Sequence, residues 1–232
     1  MTTHLVKHQK MTKRQIKEDA LVTAAFRATE IWERHGRTIL IAAGAIVLLV
    51  VLGLFVARTR AQSEERAQGE LFRAVLAVNQ GDYVSAGPML KELIDNSPGT
   101  NAAREAHRYL ADAMMAQGKP SEAVTWYRKY VEKAGGNASA ALAGQWGLAA
   151  ALENEKKFAE AAAAYAEAAK RSSSDNERGR AMLGEARCHM RAGQTAKAVE
   201  VYTAVVNLPL AEQPIHDAAN ARLGELQAGD TP

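Results

Sequence analysis

The stretch NEKKFAEAAAAYAEAAKRSSS, residues 154–174, decides the fold of this chain, because its pattern recurs three more times. The other copies are NQGDYVSAGPMLKELIDNSPG at 79–99, AQGKPSEAVTWYRKYVEKAGG at 116–136 and RAGQTAKAVEVYTAVVNLPL at 191–210. In each copy a short turn is followed by an alanine. These alanines are 37, 38 and 37 residues apart: Ala86, Ala123, Ala161 and Ala198. Matching chemistry at a regular period indicates a stack of similar units.

The pattern predicts that each unit is a pair of helices. Four residues after each alanine stands a bulky residue on the same helix face, giving the pairs Ala86 with Leu90, Ala123 with Tyr127, Ala161 with Tyr165, and Ala198 with Tyr202. The helix before each turn supplies a facing small residue, namely Ala74, Ala111, Ala149 and Ala186. Two short helices cannot bury such faces alone, so each hairpin is predicted to pack against the next. The sequence shows no strand alternation.

These observations predict an all-α fold in which about four helical hairpins form a solenoid. The repeat domain is expected over residues 70–226, and residues 212–226 are expected to be a capping helix that closes its exposed end. Residues 227–232 are expected to form a disordered tail.

A separate feature is the apolar run TILIAAGAIVLLVVLGLFVA, residues 38–57, which contains no charge. Its twenty residues would rise about 30 Å as a helix, the thickness of the hydrocarbon core. The run predicts a single transmembrane helix, whereas a buried core helix would usually be shorter. It exceeds the apolar core of a signal peptide, and Arg58 and Arg60 stand where a cleavage site would follow. Gly53 and Ala57 would let another membrane helix pack closely.

The segments around this run differ in charge. Residues 1–37 carry eight lysines and arginines against four acids, whereas the chain after Ala57 carries 21 against 22. Because positive charge in short loops stays cytoplasmic, residues 1–37 are predicted to be a cytoplasmic tail and the repeats to lie outside. The residues nearest the run are balanced between its two sides. An anionic membrane surface explains the basic tail without nucleic acid.

Two helical segments are expected beside the span. An amphipathic helix in the tail would begin after a capping box at Thr12 and end at Gly36 in the left-handed conformation. This helix either contacts the membrane or a partner, or is a solvated lead into the anchor. Residues 58–69 are charged and favour helix, so the membrane helix is expected to continue outwards as a stalk.

The repeats resemble the tetratricopeptide repeat. The residues that carry the likeness are a small residue in the first helix, a Gly-Asp-Tyr-like turn, and then alanine and tyrosine; they include Gly81, Asp82, Tyr83, Ala123, Tyr127, Phe158, Ala161, Tyr165, Gly193 and Tyr202. The period exceeds the usual 34 residues. Pro120 stands where the turn aromatic would be. The resemblance implies a protein-interaction scaffold.

The whole layout is also similar to the ancillary translocon-subunit family of bacterial inner-membrane proteins. The tail segment KEDALVTAAFRATEIWERHGRT, beginning at Lys17, carries this likeness. The resemblance implies a location in the bacterial inner membrane, repeats in the periplasm, and work beside the secretion channel with periplasmic clients. An accessory structural subunit of another large inner-membrane complex, respiratory or photosynthetic, remains the alternative.

No residue pattern of an enzyme is present in the sequence. It contains no G-x-S-x-G, G-x-G-x-x-G, P-loop or H-E-x-x-H motif. Its single cysteine, Cys188, excludes an internal disulfide and a cysteine-based metal cage. His4 and His8 are four residues apart but offer only a weak metal site. We therefore predict a non-catalytic protein with no cofactor, no metal, no nucleic-acid partner and no small-molecule substrate, whose partners are other proteins and the lipid bilayer.

The expected protein-binding surface is the one lined by the first helix of each hairpin. Projecting the period onto those helices selects Arg108, Asp112, Met115, Trp146, Glu153, Asn154, Arg180, Arg187, Met190 and Arg191. The three arginines Arg180, Arg187 and Arg191 share one side of a helix and suit an acidic segment or a C-terminal carboxylate. A solvated charged face would give the same pattern. Trp146 is either an interface anchor or part of the core.

Overall fold

The computed structural model describes the backbone of residues 13–229 and the side chains of residues 32–228. Within those bounds every regular element is an α-helix and no strand occurs, which confirms the predicted fold class. The helices of this part of the chain are α1 Lys13–Asn79, α2 Tyr83–Asn96, α3 Asn101–Ala116, α4 Pro120–Lys133, α5 Ala138–Asn154, α6 Phe158–Arg171, α7 Asp175–Arg191, α8 Thr195–Val206 and α9 Gln213–Gly229.

The chain divides into two units between Thr59 and Arg60. In the first unit the apolar run of α1 is exposed, since its large side chains from Ile39 to Val56 keep 38–73 % of their surface open. None of its most apolar stretch is buried in the protein, which does not fit a core helix. By length and composition this helix is a candidate membrane span. An added Cβ on Gly53 would meet nothing within 4 Å, so no described residue occupies the side of the helix on which Gly53 lies.

The expected helix end at Gly36 is wrong. The helix α1 continues through this residue, and Gly36 is not among the glycines with positive φ. A glycine inside a helix costs only about 1 kcal/mol relative to alanine, and the apolar helix formers after it maintain the helix. The expected capping box at Thr12 and the histidines His4 and His8 lie outside the described residues.

In the described residues up to Gly229, the second unit consists of four helical hairpins and a last helix. The hairpins are the end of α1 with α2, then α3 with α4, α5 with α6, and α7 with α8; each packs against the next. The turn inside each hairpin places one residue in the left-handed region, with φ between 62° and 78°: Gly81, Gly118, Lys156 and Gly193. The last residue of each link between hairpins caps the helix that follows. The side chains of Thr100, Asn137 and Ser174 accept hydrogen bonds from the first backbone amides of α3, α5 and α7.

The predicted apolar pairs form the core of the stack. The four alanines of the second helices are fully buried, and their partners Leu90, Tyr127, Tyr165 and Tyr202 are at most 6 % exposed. The facing alanines of the first helices, Ala74, Ala111, Ala149 and Ala186, are also fully buried. A small side chain that is fully buried lets a neighbouring helix pack close to it. The repeat interpretation is therefore confirmed.

The repeat domain begins before residue 70, the start predicted from the sequence. Ala67 is fully buried, and the carboxylate of Glu64 accepts hydrogen bonds from the backbone amides of Asn101 at 2.7 Å and Ala102 at 3.1 Å. The first amides of a helix have no partner within it, so Glu64 satisfies two of them on α3. Residues 64–69, predicted to be stalk, therefore pack with the repeats.

The helix α9 packs against α7 and α8, as expected of a capping helix. Ile215 and Ala219 on α9 are buried in one cluster with Tyr202 and Val205. The helix extends to Gly229, so residues 227–229, expected in a disordered tail, are helical. Residues 230–232 lie outside the described chain.

Candidate functional site

All ten predicted binding residues lie on α3, α5 and α7, the first helices of the second, third and fourth hairpins. We call the surface that bears them the first-helix face. None of the ten is fully buried, so each is open in part to solvent. The face is therefore accessible to solvent in the described chain, and its polar groups form two clusters.

The larger cluster is centred on Glu153 of α5. Its carboxylate accepts two hydrogen bonds from Arg187, from Nε at 2.9 Å and from Nη2 at 2.8 Å. Arg191 lies 3.2 Å from the same carboxylate, and the hydroxyl of Tyr165 donates to it at 3.3 Å. A bidentate arginine–carboxylate pair fixes both the distance and the orientation of its partners. The cluster thus links α5, α6 and α7.

The electrostatics of this cluster keep its members in fixed protonation states. The hydrogen bonds from Arg187 hold the pKa of Glu153 below its ordinary value. Burial, and then the charge of Glu153, raise the pKa of Tyr165 to about 12. Glu153 is therefore an anionic acceptor and Tyr165 a neutral donor throughout the physiological pH range.

A similar cluster joins α3 to α4. The hydroxyl of Tyr127 donates to Asp112, and Nη1 of Arg108 donates to the same carboxylate at 3.0 Å. Nε of Arg108 reaches Glu105 at 3.3 Å. Burial raises the pKa of Tyr127, and its hydrogen bond to Asp112 adds to the effect. In both hairpins the second-helix tyrosine therefore donates to an acid of the preceding first helix.

The apolar residues of the face are partly in the core. The rings of Trp146 and Tyr165 meet edge to face, with centroids 5.5 Å apart and an interplanar angle of 80°. Trp146 packs against buried residues but is itself only half-buried, so it combines a core contact with an open edge. Met115 and Met190 are also half-buried against the core.

Two predicted residues stand apart from these clusters. Asn154 is exposed, and its side chain donates to the carbonyl of Ala150 on its own helix at 2.9 Å. Arg180 is exposed and lies about two turns before Arg187, so it does not share Glu153 with the other arginines. Of the three predicted arginines, Arg187 and Arg191 therefore contact Glu153, and a binding role for the three stays a prediction.

A cleft at the end of the stack was not anticipated from the sequence. It has a volume of about 450 Å³ and lies between α7, α8 and α9. Its lining residues are Leu183, Arg187, Met190, Arg191, Tyr202, Ala218, Arg222, Glu225 and Leu226. The sequence feature that points to this cleft is the predicted capping helix, which carries Arg222 as α7 carries its arginines. The repeat pattern alone does not show that this helix lies beside Tyr202.

Cys188 of α7 lies beside the larger cluster. Burial raises the pKa of Cys188 to about 11, so its thiol stays protonated and is a poor nucleophile at neutral pH. Among the described residues no group of three or more histidine, cysteine or acidic side chains is placed to hold a metal ion. What the face offers is fixed charges, hydroxyls and half-buried apolar side chains.

Comparison with known proteins agrees with this architecture. The family model described as tetratricopeptide repeat matches residues 71–138 and 148–214. Among solved structures, the crystal structure of the Podosopora anserina putative kinesin light chain nearly identical TPR-like repeats has a TM-score of 0.57 at 21 % identity, covering 72 % of this chain and 88 % of that one. A second crystal structure of those repeats has a TM-score of 0.56 at 22 % identity, covering 72 % and 87 %. No curated protein sequence matches the chain.

Proposed function

Because the chain belongs to the tetratricopeptide repeat family, we propose that it is a non-catalytic scaffold that binds a protein partner through the first-helix face. Repeats of this family generally serve protein–protein interaction. The observation that carries the proposal is the cluster of Glu153 with Arg187, Arg191 and Tyr165. Side chains already held in one geometry lose little conformational entropy when a partner binds.

The binding surface combines the chemistry that partners of a solenoid use. The half-buried ring of Trp146 offers an aromatic anchor, a residue type enriched among interface residues that dominate binding energy. The neighbouring first helices α3 and α7 carry charged side chains, so a partner would bury an apolar side chain at Trp146 and pair its own charges with those helices. This arrangement favours an extended polar segment over a flat apolar surface.

The scaffold is proposed to be anchored in a membrane by residues 38–57. The exposed apolar side chains of that helix need a nonpolar environment, and the length suits one bilayer crossing. The basic tail, residues 1–37, would remain in the cytoplasm and the repeats would lie on the outer side. Anchoring raises the concentration of the repeats near membrane-bound partners. In the membrane, Gly53 and Ala57 would permit close packing with another helix.

The location proposed is the bacterial inner membrane, with the repeats in the periplasm and near the secretion channel. This rests on the similarity of the layout and of the tail from Lys17 to the ancillary translocon-subunit family. The second candidate is an accessory structural subunit of another large inner-membrane complex, such as a respiratory or photosynthetic one. It is favoured by the uninterrupted apolar helix, which offers a second contact surface besides the repeats.

Co-purification of the full chain from membranes in mild detergent tests the function and separates the two candidates. A scaffold is expected to retain partners below one-to-one stoichiometry and to lose them in high salt. A permanent subunit would retain a stoichiometric set that resists salt. Replacing Asn154 by arginine should reduce the partner yield, whereas Thr203→Arg on the exposed side of α8 should not. Recovery of no protein partner under either condition would refute both.

A further inference from the structure

The cleft between α7, α8 and α9, which we call the C-terminal cleft, contains a tyrosine without the acidic partner that its counterparts have in the second and third hairpins. Tyr127 donates to Asp112 and Tyr165 donates to Glu153. Their counterpart Tyr202 lies in the next hairpin, 37 residues after Tyr165. No hydrogen bond from the hydroxyl of Tyr202 is found within the described residues.

The sequence of α7 explains the missing acceptor. Counting by the repeat period, the position of Asp112 is occupied in α7 by Arg187, and the position of Glu153 is occupied by Met190. Neither residue can accept a hydrogen bond as a carboxylate does. The ring of Tyr202 is nevertheless buried like those of Tyr127 and Tyr165, at 3 % exposure. Tyr202 lines the cleft, and no acid of α7 accepts from its hydroxyl in the described residues.

The surroundings of Tyr202 favour an anion. Arg187, Arg191 and Arg222 line the cleft. Two acids oppose them, since Glu153 binds Arg187 and Arg191, and Glu225 lies 2.6 Å from Arg222. One positive charge therefore remains in excess. In the neighbouring layer the carboxylate of Glu153 accepts from the hydroxyl of Tyr165 and pairs with Arg187 and Arg191. The C-terminal cleft brings the hydroxyl of Tyr202 together with the same two arginines, already paired with Glu153, and with Arg222.

The rest of the lining is apolar. Leu183, Met190 and Leu226 form walls beside the charged groups. A carboxylate alone would leave these side chains in contact with water, whereas a carboxylate next to an apolar side chain would cover them. The cleft is thus complementary to a peptide in which a carboxylate lies next to an apolar side chain.

We propose that the C-terminal cleft binds a carboxylate of a partner peptide, flanked by an apolar side chain, which accepts from Tyr202 and pairs with the arginines in place of the missing internal acid. This deepens the proposed function and rests on it, because it names what one end of the binding surface recognises. The carboxylate can belong to an acidic side chain or to the end of the partner chain. Both have the same chemistry, and the test distinguishes them.

Fluorescence anisotropy with the full chain in detergent tests the proposal. The probes are the labelled hexapeptide Gly-Ser-Ala-Asp-Leu-Leu with a free C-terminus, the same peptide amidated, and the amidated peptide with asparagine for aspartate. The first should bind, and the third should bind at least about tenfold more weakly, the scale of one hydrogen bond to a charged group. Loss on amidation alone identifies the terminal carboxylate; retention identifies the side chain. Equal binding of all three peptides overturns the proposal.

Two pairs of variants locate the binding. Tyr202→Phe keeps the buried ring and removes only the hydroxyl, so about tenfold weaker binding of the free peptide is expected; Tyr83→Phe on α2 is its control. Arg222→Gln should weaken binding and reduce its salt dependence, with Arg128→Gln on α4 as control. Unchanged affinity in both cleft variants, or no binding of the free peptide at millimolar concentration, overturns the proposal. If partners still co-purify with the wild-type chain in that case, the proposed scaffold function stands and only this inference fails.

Discussion

Gly184 on α7 lies directly against the ring of Tyr165 on α6: a Cβ at this glycine would stand 2.9 Å from Cδ1 and Cε1 of the tyrosine. Carbon atoms do not approach so closely, so only glycine fits beneath this ring. Gly147 on α5 has the same relationship to Tyr127 on α4. In two successive hairpins a buried tyrosine therefore rests on a glycine of the next first helix, which brings neighbouring hairpins into contact.

The first prediction concerns this contact. Gly184→Ala should lower the free energy of unfolding by about 1–3 kcal/mol, because the tyrosine ring or the helix must shift to accommodate the methyl group. The measurement is the thermal unfolding of the full chain in detergent, followed by circular dichroism. Gly224→Ala on α9 is the matched control, since an added Cβ there meets nothing within 4 Å. The control should leave stability unchanged or increase it by up to about 1 kcal/mol. Equal effects of the two would show that the contact is not tight.

A second prediction concerns the turn of the third hairpin. Lys156 has φ of 62°, whereas the other three hairpins place a glycine at the corresponding position. A side chain in the left-handed region costs about 1–2 kcal/mol, so Lys156→Gly should raise the free energy of unfolding by about 1 kcal/mol. The same thermal unfolding measures it. The reverse substitution, Gly193→Lys in the fourth hairpin, should destabilise by a similar amount. A destabilised Lys156→Gly variant would contradict the prediction.

A third prediction concerns pH. Hydrogen bonds from Arg187 lower the pKa of Glu153 in the folded chain below its ordinary value of 4.5. The ionised form is therefore favoured by folding, and its contribution is complete above that ordinary value and is lost as the pH falls through the folded pKa. Glu153→Gln should destabilise by about 1–2 kcal/mol at pH 7 and should lose less stability than the wild type on acidification to pH 3.

The control for this prediction is Glu122→Gln, at an exposed position of α4. It should have little effect at pH 7 and should follow the wild-type pH dependence. Melting temperatures measured at several pH values between 7 and 3 distinguish the variants. A Glu153→Gln variant whose stability falls with pH as steeply as that of the wild type would show that the Arg187–Glu153 pair contributes nothing to acid sensitivity.

The sequence predicted the features that depend on local spacing. Ala86 and Leu90 share a face because they are four residues apart on one helix, and the spacing of Ala86, Ala123 and Ala161 is visible without knowing how helices cross. All of these residues are buried as expected. Burial of the first-helix alanine Ala149 follows from the same period.

The sequence does not predict the contacts between helices, because these contacts depend on how the helices cross. Tyr165 and Glu153 are 12 residues apart on different helices, and spacing alone does not show which acid the hydroxyl meets. From the sequence alone Gly184 is only a poor helix former, and its packing against the ring of Tyr165 is visible only in the structure. The helix end predicted at Gly36 is wrong for the opposite reason, because the helix formers around this glycine outweigh its local stop signal.

A fourth prediction concerns the orientation in the membrane. In a chain with Cys188→Ala, a cysteine at Lys197 should react with a membrane-impermeant maleimide in intact bacterial spheroplasts, because Lys197 is exposed on α8 and the repeats are proposed to lie outside. A cysteine at Lys7 in the tail should react only after lysis. The opposite labelling pattern would show that the tail faces outwards.

The proposal that partners bind the first-helix face is tested most directly by site-specific photo-crosslinking in membranes. A photoreactive amino acid is placed at Asn154, exposed on α5, or at Lys197, exposed on α8. The first position should give a discrete adduct with a protein partner, and the second should give none. Adducts from Lys197 and none from Asn154 would contradict the assignment of this face.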